Sequence, residues 1–320
     1  MANQSNLWQQ SLLAVLTSLL FAGSFVAGKY TIDEIGPLLI TLLRYLIAGV
    51  FLQLLVWRQS DFSYRFITAS WADKLCLFLL GTFGVVGYHF FFFFSLRYTA
   101  VANSAIINAF NPVVTGLLAA LILKEKLALR NYLGGVIALL GVLVLLTNGH
   151  LSTLFQLQFN MGDVLMLCAV GCWACYSILL RHLGSRYSGL AMSYYGAWLG
   201  VAQLLLLTLP GIIQRTGLPT LSWPSVLGIL YMGIGASGIG YLLFTISIQR
   251  IGPTKSTSIV YSGVPVWVAL LAWIFFQQPV TPWMVVSMVL ILLGLRTVLK
   301  KERDKSVLAG NRKPAGEWKD

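Results

Sequence analysis

The feature that most constrains this chain is a series of apolar stretches, each about as long as a bilayer is thick. A helix that crosses a membrane needs about 20 mostly apolar residues. Ten such stretches occur, separated by charged and turn-forming residues. They lie near 9–28, 37–57, 73–95, 99–123, 131–148, 162–180, 190–211, 224–247, 254–276 and 282–299. The sequence therefore predicts an all-α polytopic membrane protein with ten transmembrane helices.

Composition excludes several other classes of protein. Charged residues make up 10% of the chain, whereas about 25% is usual for a soluble domain. A β-barrel is excluded because its strands alternate in polarity. Four Cys are too few for a disulfide framework. Since no phosphate-binding loop with a Gly-Lys-Ser or Gly-Lys-Thr end occurs, ATP hydrolysis is not expected, and no cofactor is predicted.

The placement of Lys and Arg predicts the orientation. With a cytoplasmic N-terminus, 17 of these side chains fall in cytoplasmic loops and the tail, and three fall outside. Because positive charge marks cytoplasmic loops, both termini are predicted to be cytoplasmic. This placement also accounts for the net charge of +12 without nucleic acid. The basic segment 301–320 is expected to be a disordered tail that contacts anionic lipid weakly.

Self-comparison indicates an internal repeat of five spans. Shifts of 153 and 152 residues align Tyr88 with Tyr241, Pro112 with Pro265, and Phe21 with Trp173. An odd number of spans per copy requires the second copy to lie inverted in the membrane, as in many secondary transporters. We therefore predict two inverted five-helix repeats, residues 1–150 and 151–300, with a substrate site between them near mid-membrane.

Five stretches carry a family resemblance. They are FAGSFVAGKY (21–30), LLRYLIAG (42–49), FNPVVTGLLAALILKEKL (110–127), GCWACYSILLR (171–181) and YSGVPVWVALLAWIFFQQPV (261–280). Together they resemble the EamA-type members of the drug/metabolite transporter superfamily over nearly the whole chain. The resemblance implies two inverted bundles around a central cavity and transport of small metabolites, commonly export. Phe21 departs from the family's usual Trp, and Gln278 from its second Glu, which puts a role for that Glu in doubt.

Two ionisable side chains are predicted at membrane depth, where such groups are costly and often functional. Arg44 lies seven residues after Pro37, about 10 Å along its helix. It is interpreted either as a contact for a substrate carboxylate or phosphate, or as a structural Arg bonded to carbonyls of a neighbouring helix. His89 is interpreted either as a proton relay or as a buried His bonded to a carbonyl.

The other candidates are aromatic and amide side chains, most of which the repeat aligns in pairs. They are Phe21, Tyr88, Asn108, Asn111, Trp173, Tyr176, Tyr241 and Tyr261. Each has two interpretations, a wall of the cavity or ordinary helix packing. Phe93, within a run of five Phe, is expected to face lipid. Cys168, Cys172 and Cys175 share one helix face and are interpreted as small buried hydrophobic residues, because a metal site needs further ligands.

These observations predict a secondary transporter rather than an enzyme. It is expected to move small organic metabolites, such as amino acids or related compounds, across the bacterial inner membrane, with export by alternating access. Its expected partners are a small-molecule substrate and membrane lipid, without nucleic acid, and a homodimer stays open. Two alternatives remain: a lipid-modifying enzyme, which needs clustered His or acids that the sequence lacks, and a channel-like or partner subunit.

Overall fold

The structure is a computed structural model of the whole chain. It describes residues 2–59, 69–122, 129–147, 149–150, 160–213 and 221–299. The predicted tail at 301–320 and positions 123–127 of the third resembling stretch lie outside the described residues.

The described residues are helical almost throughout and contain no strand. The helices, numbered in chain order, are α1 (Ala2–Ile32), α2 (Pro37–Arg58), α3 (Trp71–Tyr98), α4 (Val101–Ile122), α5 (Leu129–Thr147), α6 (Met161–Leu183), α7 (Gly189–Ile213), α8 (Trp223–Ile251), α9 (Pro253–Phe276) and α10 (Pro282–Leu299). Eight of them, α1 to α4 and α6 to α9, are long and apolar enough to cross a membrane. Eight predicted spans are thereby confirmed. α5 and α10 are also helical, and their crossing stays a prediction.

Two helices contain a π-helical segment that the sequence analysis did not predict. α3 passes through Gly81–Gly87 and α8 through Tyr231–Gly240. Each segment ends directly before one of the aligned tyrosines, Tyr88 and Tyr241. π turns frequently occur at functional sites. These segments therefore support Tyr88 and Tyr241 as candidate site residues.

α4 is interrupted within the predicted fourth span. One helix covers Val101–Asn108 and the next Asn111–Ile122, with a turn between them. Pro112 stands just after the turn, where its missing N–H costs no helical hydrogen bond. Its aligned partner Pro265 lies inside α9, which continues without a break.

Packing joins the helices of one half of the chain to those of the other. Six of these contacts form three corresponding pairs. The contact of α1 with α9 corresponds to that of α6 with α4, and the contact of α3 with α6 corresponds to that of α8 with α1. The contact of α2 with α8 corresponds to that of α7 with α3. When α1 to α5 are exchanged in order with α6 to α10, each contact becomes the other contact of its pair. The contacts of α5 with α10, of α2 with α7 and of α4 with α9 each turn into themselves. This pattern is typical of a two-fold relation between repeats.

The contact between α5 and α10 depends on glycines at aligned positions. A Cβ on Gly141 would lie 2.9 Å from the carbonyl oxygen of Ser287, and a Cβ on Gly294 would lie 2.5 Å from that of Gly134. Both contacts are related by the same shift of 153 residues. Small residues allow membrane helices to approach this closely.

Two serine pairs repeat the same relation at the ends of helices. Ser95 of α3 bonds to Ser104 of α4, with 3.2 Å between hydroxyl oxygens. Ser247 of α8 bonds to Ser256 of α9 at 2.9 Å. A shift of 152 residues converts one pair into the other. The helices that follow each π-helical segment are therefore held to the next helix in the same way.

Candidate functional site

The candidate site is a small cavity among α1, α2, α3, α6 and α8. Its lining residues are Phe21, Ser24, Phe25, Arg44, Tyr88, His89, Phe92, Trp173 and Tyr241. Six of the ten predicted site residues are among them. The space open to a water-sized sphere is about 20 Å³, room for about one water. Because ligand pockets usually measure about 300–1,000 Å³, the walls have to part before a metabolite enters.

The aligned aromatic residues of the two halves meet in the wall of the cavity. The rings of Phe21 and Trp173 lie 5.7 Å apart, edge to face, although 152 residues separate them in sequence. The ring of Tyr241 lies 5.1 Å from that of Trp173, also edge to face, and the ring of Tyr88 lies 4.7 Å from that of Trp173. Such pairs contribute about 0.5–1.5 kcal/mol each beyond the area they bury. The predicted pairing of distant residues is thus present in the wall.

The other predicted site residues lie directly behind this wall. Tyr176 and Tyr261 lie 5.1 Å and 6.2 Å from the ring of Trp173. Asn108 donates to the hydroxyl of Tyr88 at 3.4 Å, and Asn111 donates to the side-chain oxygen of Asn108 at 2.8 Å. The structure therefore brings all ten residues into one region, six as lining and four as support.

Arg44 is the cationic group of the cavity. Its side chain is 2% exposed, and its Nε donates to the hydroxyl of Ser237 in the π-helical segment of α8 at 2.8 Å. Its guanidinium also lies 5.8 Å from the ring centroid of Phe93 and 5.6 Å from that of Tyr45. No carboxylate pairs with it among the residues that the structure describes. A buried charge without a partner of opposite sign is costly, so the position is suited to an anionic ligand.

His89 is a buried histidine with a hydrogen-bond partner. It is 1% exposed, and its Nδ1 lies 3.0 Å from the carbonyl oxygen of Val85 in the preceding turn. A carbonyl only accepts hydrogen bonds, so Nδ1 carries the proton and Nε2 of the neutral ring is an acceptor. The carbonyl bond that the sequence analysis expected for a core His is confirmed, and the ring also lines the cavity.

Two expectations about exposure are wrong. Phe93 is fully buried rather than lipid-facing, since it packs against Arg44 and closes on Gly28 of α1. The packing of both α1 and α6 against α3 leaves few of its faces open. Cys168 is exposed, and Cys172 and Cys175 are only half-buried, so these thiols are not the fully buried residues that their shared helix face suggested.

A polar contact joins the end of α1 to the start of α8. Glu34 accepts a hydrogen bond from the backbone N–H of Ser222 at 3.0 Å and another from its hydroxyl. Ser222 is also the N-cap of α8, because its hydroxyl accepts from the N–H of Ser225. These residues, Glu34 with Ser222, are the Glu34 clasp. The bonds from the hydroxyl and then from the N–H of Ser222 lower the pKa of Glu34 below its ordinary value.

A second contact joins the end of α6 to the start of α3 in the same way. Arg186, which follows α6, forms an ion pair with Asp73 in the first turn of α3, and the hydroxyl of Tyr187 lies 3.4 Å from the same carboxylate. Ser70 caps α3 by accepting from the N–H of Asp73. Arg186 with Asp73 is the Arg186 clasp. A shift of 152 residues aligns Glu34 with Arg186 in the sequence, a correspondence that was not among the predicted pairs.

The two clasps lie at opposite ends of α3. The C-terminal end of α3 lies beside that of α1, because Lys29 donates to the carbonyl of Leu96 at 2.8 Å and Arg97 to that of Ile32 at 2.9 Å. The Glu34 clasp follows directly on Ile32, whereas the Arg186 clasp holds the other end of the 28-residue helix. A helix of this length spans about 42 Å. The cavity thus lies between two polar contacts at opposite ends of the bundle.

The Glu34 clasp is expected to weaken in acid. A lowered pKa means that the bonds of the carboxylate contribute stability at pH values above the unfolded pKa, about 4.3, and lose it as the pH falls through the folded pKa. Wild-type protein should therefore melt at a higher temperature than Glu34→Gln at pH 7. The difference should vanish well below pH 4. A difference that is constant with pH would contradict this reading of the clasp.

Comparison with known proteins agrees with this geometry. Residues 9–147 and 160–300 each match the EamA-like transporter family. The chain belongs to the EamA-like transporter family. The family domain is present twice, so the duplication predicted from the aligned pairs is confirmed, with α1 to α5 in the first copy and α6 to α10 in the second.

Several proteins are similar to this EamA-like transporter along most of their length. An uncharacterized transporter of Bacillus subtilis, YyaM, is 29% identical over 285 residues, which cover 88% of this chain and 90% of that protein. A probable terminal-alkyne amino-acid exporter of Streptantibioticus cattleyicolor is 25% identical and covers 91% of this chain and 95% of that protein. A solved crystal structure at 18% identity covers 91% of this chain and 98% of its own, with a TM-score of 0.65, and supports the fold.

Proposed function

We propose that this EamA-like transporter carries small organic metabolites outward across the bacterial inner membrane, through ten helices arranged as two inverted repeats. The observation that carries the proposal is the cavity itself. Aligned residues of both repeats form its wall, and it contains the buried Arg44, which has no carboxylate partner among the described residues. Inverted repeats of secondary transporters place their substrate site in this position. The similarity to a probable terminal-alkyne amino-acid exporter supports an organic substrate that carries a carboxyl group.

Transport proceeds by alternating access, in which the two clasps open in turn. In the described conformation both ends are held, and the cavity is too small for a metabolite. Release of the Glu34 clasp lets α8 move from α1, and release of the Arg186 clasp lets α3 move from α6. The related contacts of the two repeats give the two motions similar geometry. A cavity this small, with a polar contact toward each end of the bundle, favours a transporter over an open channel.

Counterflow in liposomes tests this function. Purified protein is reconstituted with a metabolite inside, and entry of the same labelled metabolite is measured for a panel of amino acids, organic acids, sugars and nucleotides. We expect transient accumulation of at least one compound above its equilibrium level, because a carrier exchanges its substrate. Protein-free liposomes give the background. Equilibration without overshoot for every compound that enters would indicate a channel, and no entry of any compound would contradict transport.

The proposed orientation predicts which connections reagents reach from outside. A single cysteine at Asp33, in a cysteine-free background, should react with an impermeant thiol reagent in intact cells. A cysteine at Ser185, which is equally exposed in the structure, should react only after the membrane is opened. The loop after α1 lies outside in this topology, whereas the loop after α6 is cytoplasmic. The reverse labelling pattern would overturn the orientation.

A further inference from the structure

Several buried polar atoms at the site have no hydrogen-bond partner among the residues that the structure describes. They include the hydroxyl of Ser24, the indole N–H of Trp173 and the hydroxyl of Tyr261. Ser24 and Trp173 line the cavity, and Tyr261 lies behind Trp173. Buried polar groups in folded proteins almost always have a hydrogen-bond partner, so a group that lacks one is expected to meet water or a ligand. Their position in the wall indicates a ligand in the cavity.

The chemistry of these groups selects what they bind. The indole N–H of Trp173 only donates, and a guanidinium carries five N–H groups and no acceptor. The bonds of Arg44 to Ser237 and the sulfur of Met232 use two of these N–H groups. Ser24 supplies a further hydroxyl donor. Beside the acceptor Nε2 of His89, the cavity therefore presents several donors and one positive charge, and this balance favours a ligand rich in acceptors and negative in charge.

No acidic side chain lines the wall to balance a positively charged ligand. The lining contains neither Asp nor Glu. Three of the described carboxylates, those of Glu34, Asp73 and Asp163, lie at helix ends, where Ser222, Arg186 and Thr99 bond to them. The fourth, that of Asp33, is exposed in the connection after α1. An ammonium group in the same cavity as Arg44 would be repelled, and the low dielectric of the interior strengthens that repulsion.

The aromatic rings of the wall also leave little room for a cation to bind over a ring face. Rings can hold a cation over their faces. The ring of Trp173, however, already has three aromatic neighbours, with ring centroids at 5.7 Å for Phe21, 5.1 Å for Tyr241 and 5.1 Å for Phe244. Arg44 already lies beside the ring of Phe93. These rings instead offer an apolar surface for a flat, uncharged part of the ligand.

We propose, building on the transport function above, that the substrates are small organic carboxylates with a flat apolar body and without a protonated amine. Arg44 binds the carboxylate, with the hydroxyl of Ser24 and the indole N–H of Trp173 as further donors. The aromatic wall contacts the body. Amino acids, whose ammonium finds no anion in the wall, are poor ligands of this site.

Four compounds with one phenyl skeleton test this assignment. They are 3-phenylpropionate, phenylalanine, 2-phenylethylamine and 3-phenylpropan-1-ol, measured for binding to the full chain in lipid nanodiscs. We expect 3-phenylpropionate to bind at least about tenfold more tightly than the alcohol, since charge-assisted bonds to Arg44 are the strong ones. We expect the same advantage over phenylalanine, whose ammonium group is repelled by Arg44. Equal or tighter binding of phenylalanine or of the amine, or binding of none of the four, would overturn the assignment.

Two variants assign the effect to the named groups. Trp173→Phe keeps one aromatic ring but removes the N–H together with part of the indole ring, so it should weaken binding of 3-phenylpropionate by about 2- to 12-fold more than it weakens binding of the alcohol. Trp273→Phe, at a side chain of α9 that is 61% exposed, is the matched control and should change neither. Arg44→Gln should remove the preference for the carboxylate over the alcohol. An unchanged preference in both site variants would contradict the proposal.

The experiment separates this assignment from the proposed function. If phenylalanine shows counterflow and outcompetes 3-phenylpropionate, the substrate class is wrong and the transport function stands. If 3-phenylpropionate binds as expected but no compound in the panel shows counterflow, the transport function is wrong and the binding site stands.

Discussion

Transport by the Arg44→Gln variant should fall by about 12- to 160-fold, with little loss of folded protein. The range corresponds to about 1.5–3 kcal/mol for a hydrogen bond to a charged group. Gln keeps a polar side chain near Ser237 but removes the positive charge that meets the substrate. Initial counterflow rates, normalised to the amount of monodisperse protein, measure the effect.

Arg58→Gln is the matched control for this prediction. It makes the same substitution on the same helix, at an exposed residue in the last turn of α2, and should leave transport unchanged. If Arg44→Gln lowers folded yield and melting temperature in proportion to transport, Arg44 is a structural residue and leaves the site.

Gly294→Val should lower thermal stability more than any other substitution proposed above. The new Cβ would lie 2.5 Å from the carbonyl oxygen of Gly134 and 2.7 Å from the backbone N of Ala138. Backbone cannot move aside as a flexible side chain does, so α10 has to separate from α5. Overpacking of this kind costs about 1–3 kcal/mol and sometimes more. Thermal unfolding in detergent should show a clear drop in melting temperature and folded yield.

Gly171→Val provides the comparison within a helix. A Cβ at Gly171 of α6 meets nothing within 4 Å, so this variant should unfold near the wild-type temperature. Gly141→Val, at the aligned position of the first repeat, should behave like Gly294→Val because its Cβ would meet the carbonyl oxygen of Ser287 at 2.9 Å. Equal melting temperatures for Gly294→Val and Gly171→Val would contradict the close approach of α5 and α10.

The helices and the general place of the site followed from the sequence because their causes are local or periodic. A run of apolar residues long enough to cross the bilayer predicts a span regardless of its neighbours. The aligned pair Phe21 and Trp173 predicted a shared wall, since a duplicated chain with an odd number of spans brings such residues together. In the structure the two rings lie 5.7 Å apart, edge to face.

Other features depend on packing that no single segment encodes. The run of five Phe surrounds α3, so only the positions of α1 and α6 decide that Phe93 is buried. The π-helical segment of α3 is fixed by neighbours, because Tyr176 closes on Gly84 and Tyr241 donates to its carbonyl oxygen at 2.9 Å. Ser24, by contrast, had a signal in the sequence, since it lies three residues from Phe21 on the same face of α1.

The reactivity of one cysteine at Ser24 tests alternating access most directly. Ser24 lines the cavity, and Ser→Cys is a small change in a background without the native cysteines. An impermeant thiol reagent should reach this cysteine from either side of the membrane, in right-side-out and in inside-out vesicles. Adding Arg186→Gln should raise its reactivity from the side of the Arg186 clasp and lower it from the other side, because the two ends open in turn. A rise from both sides together, or no reaction from either side, would contradict the account.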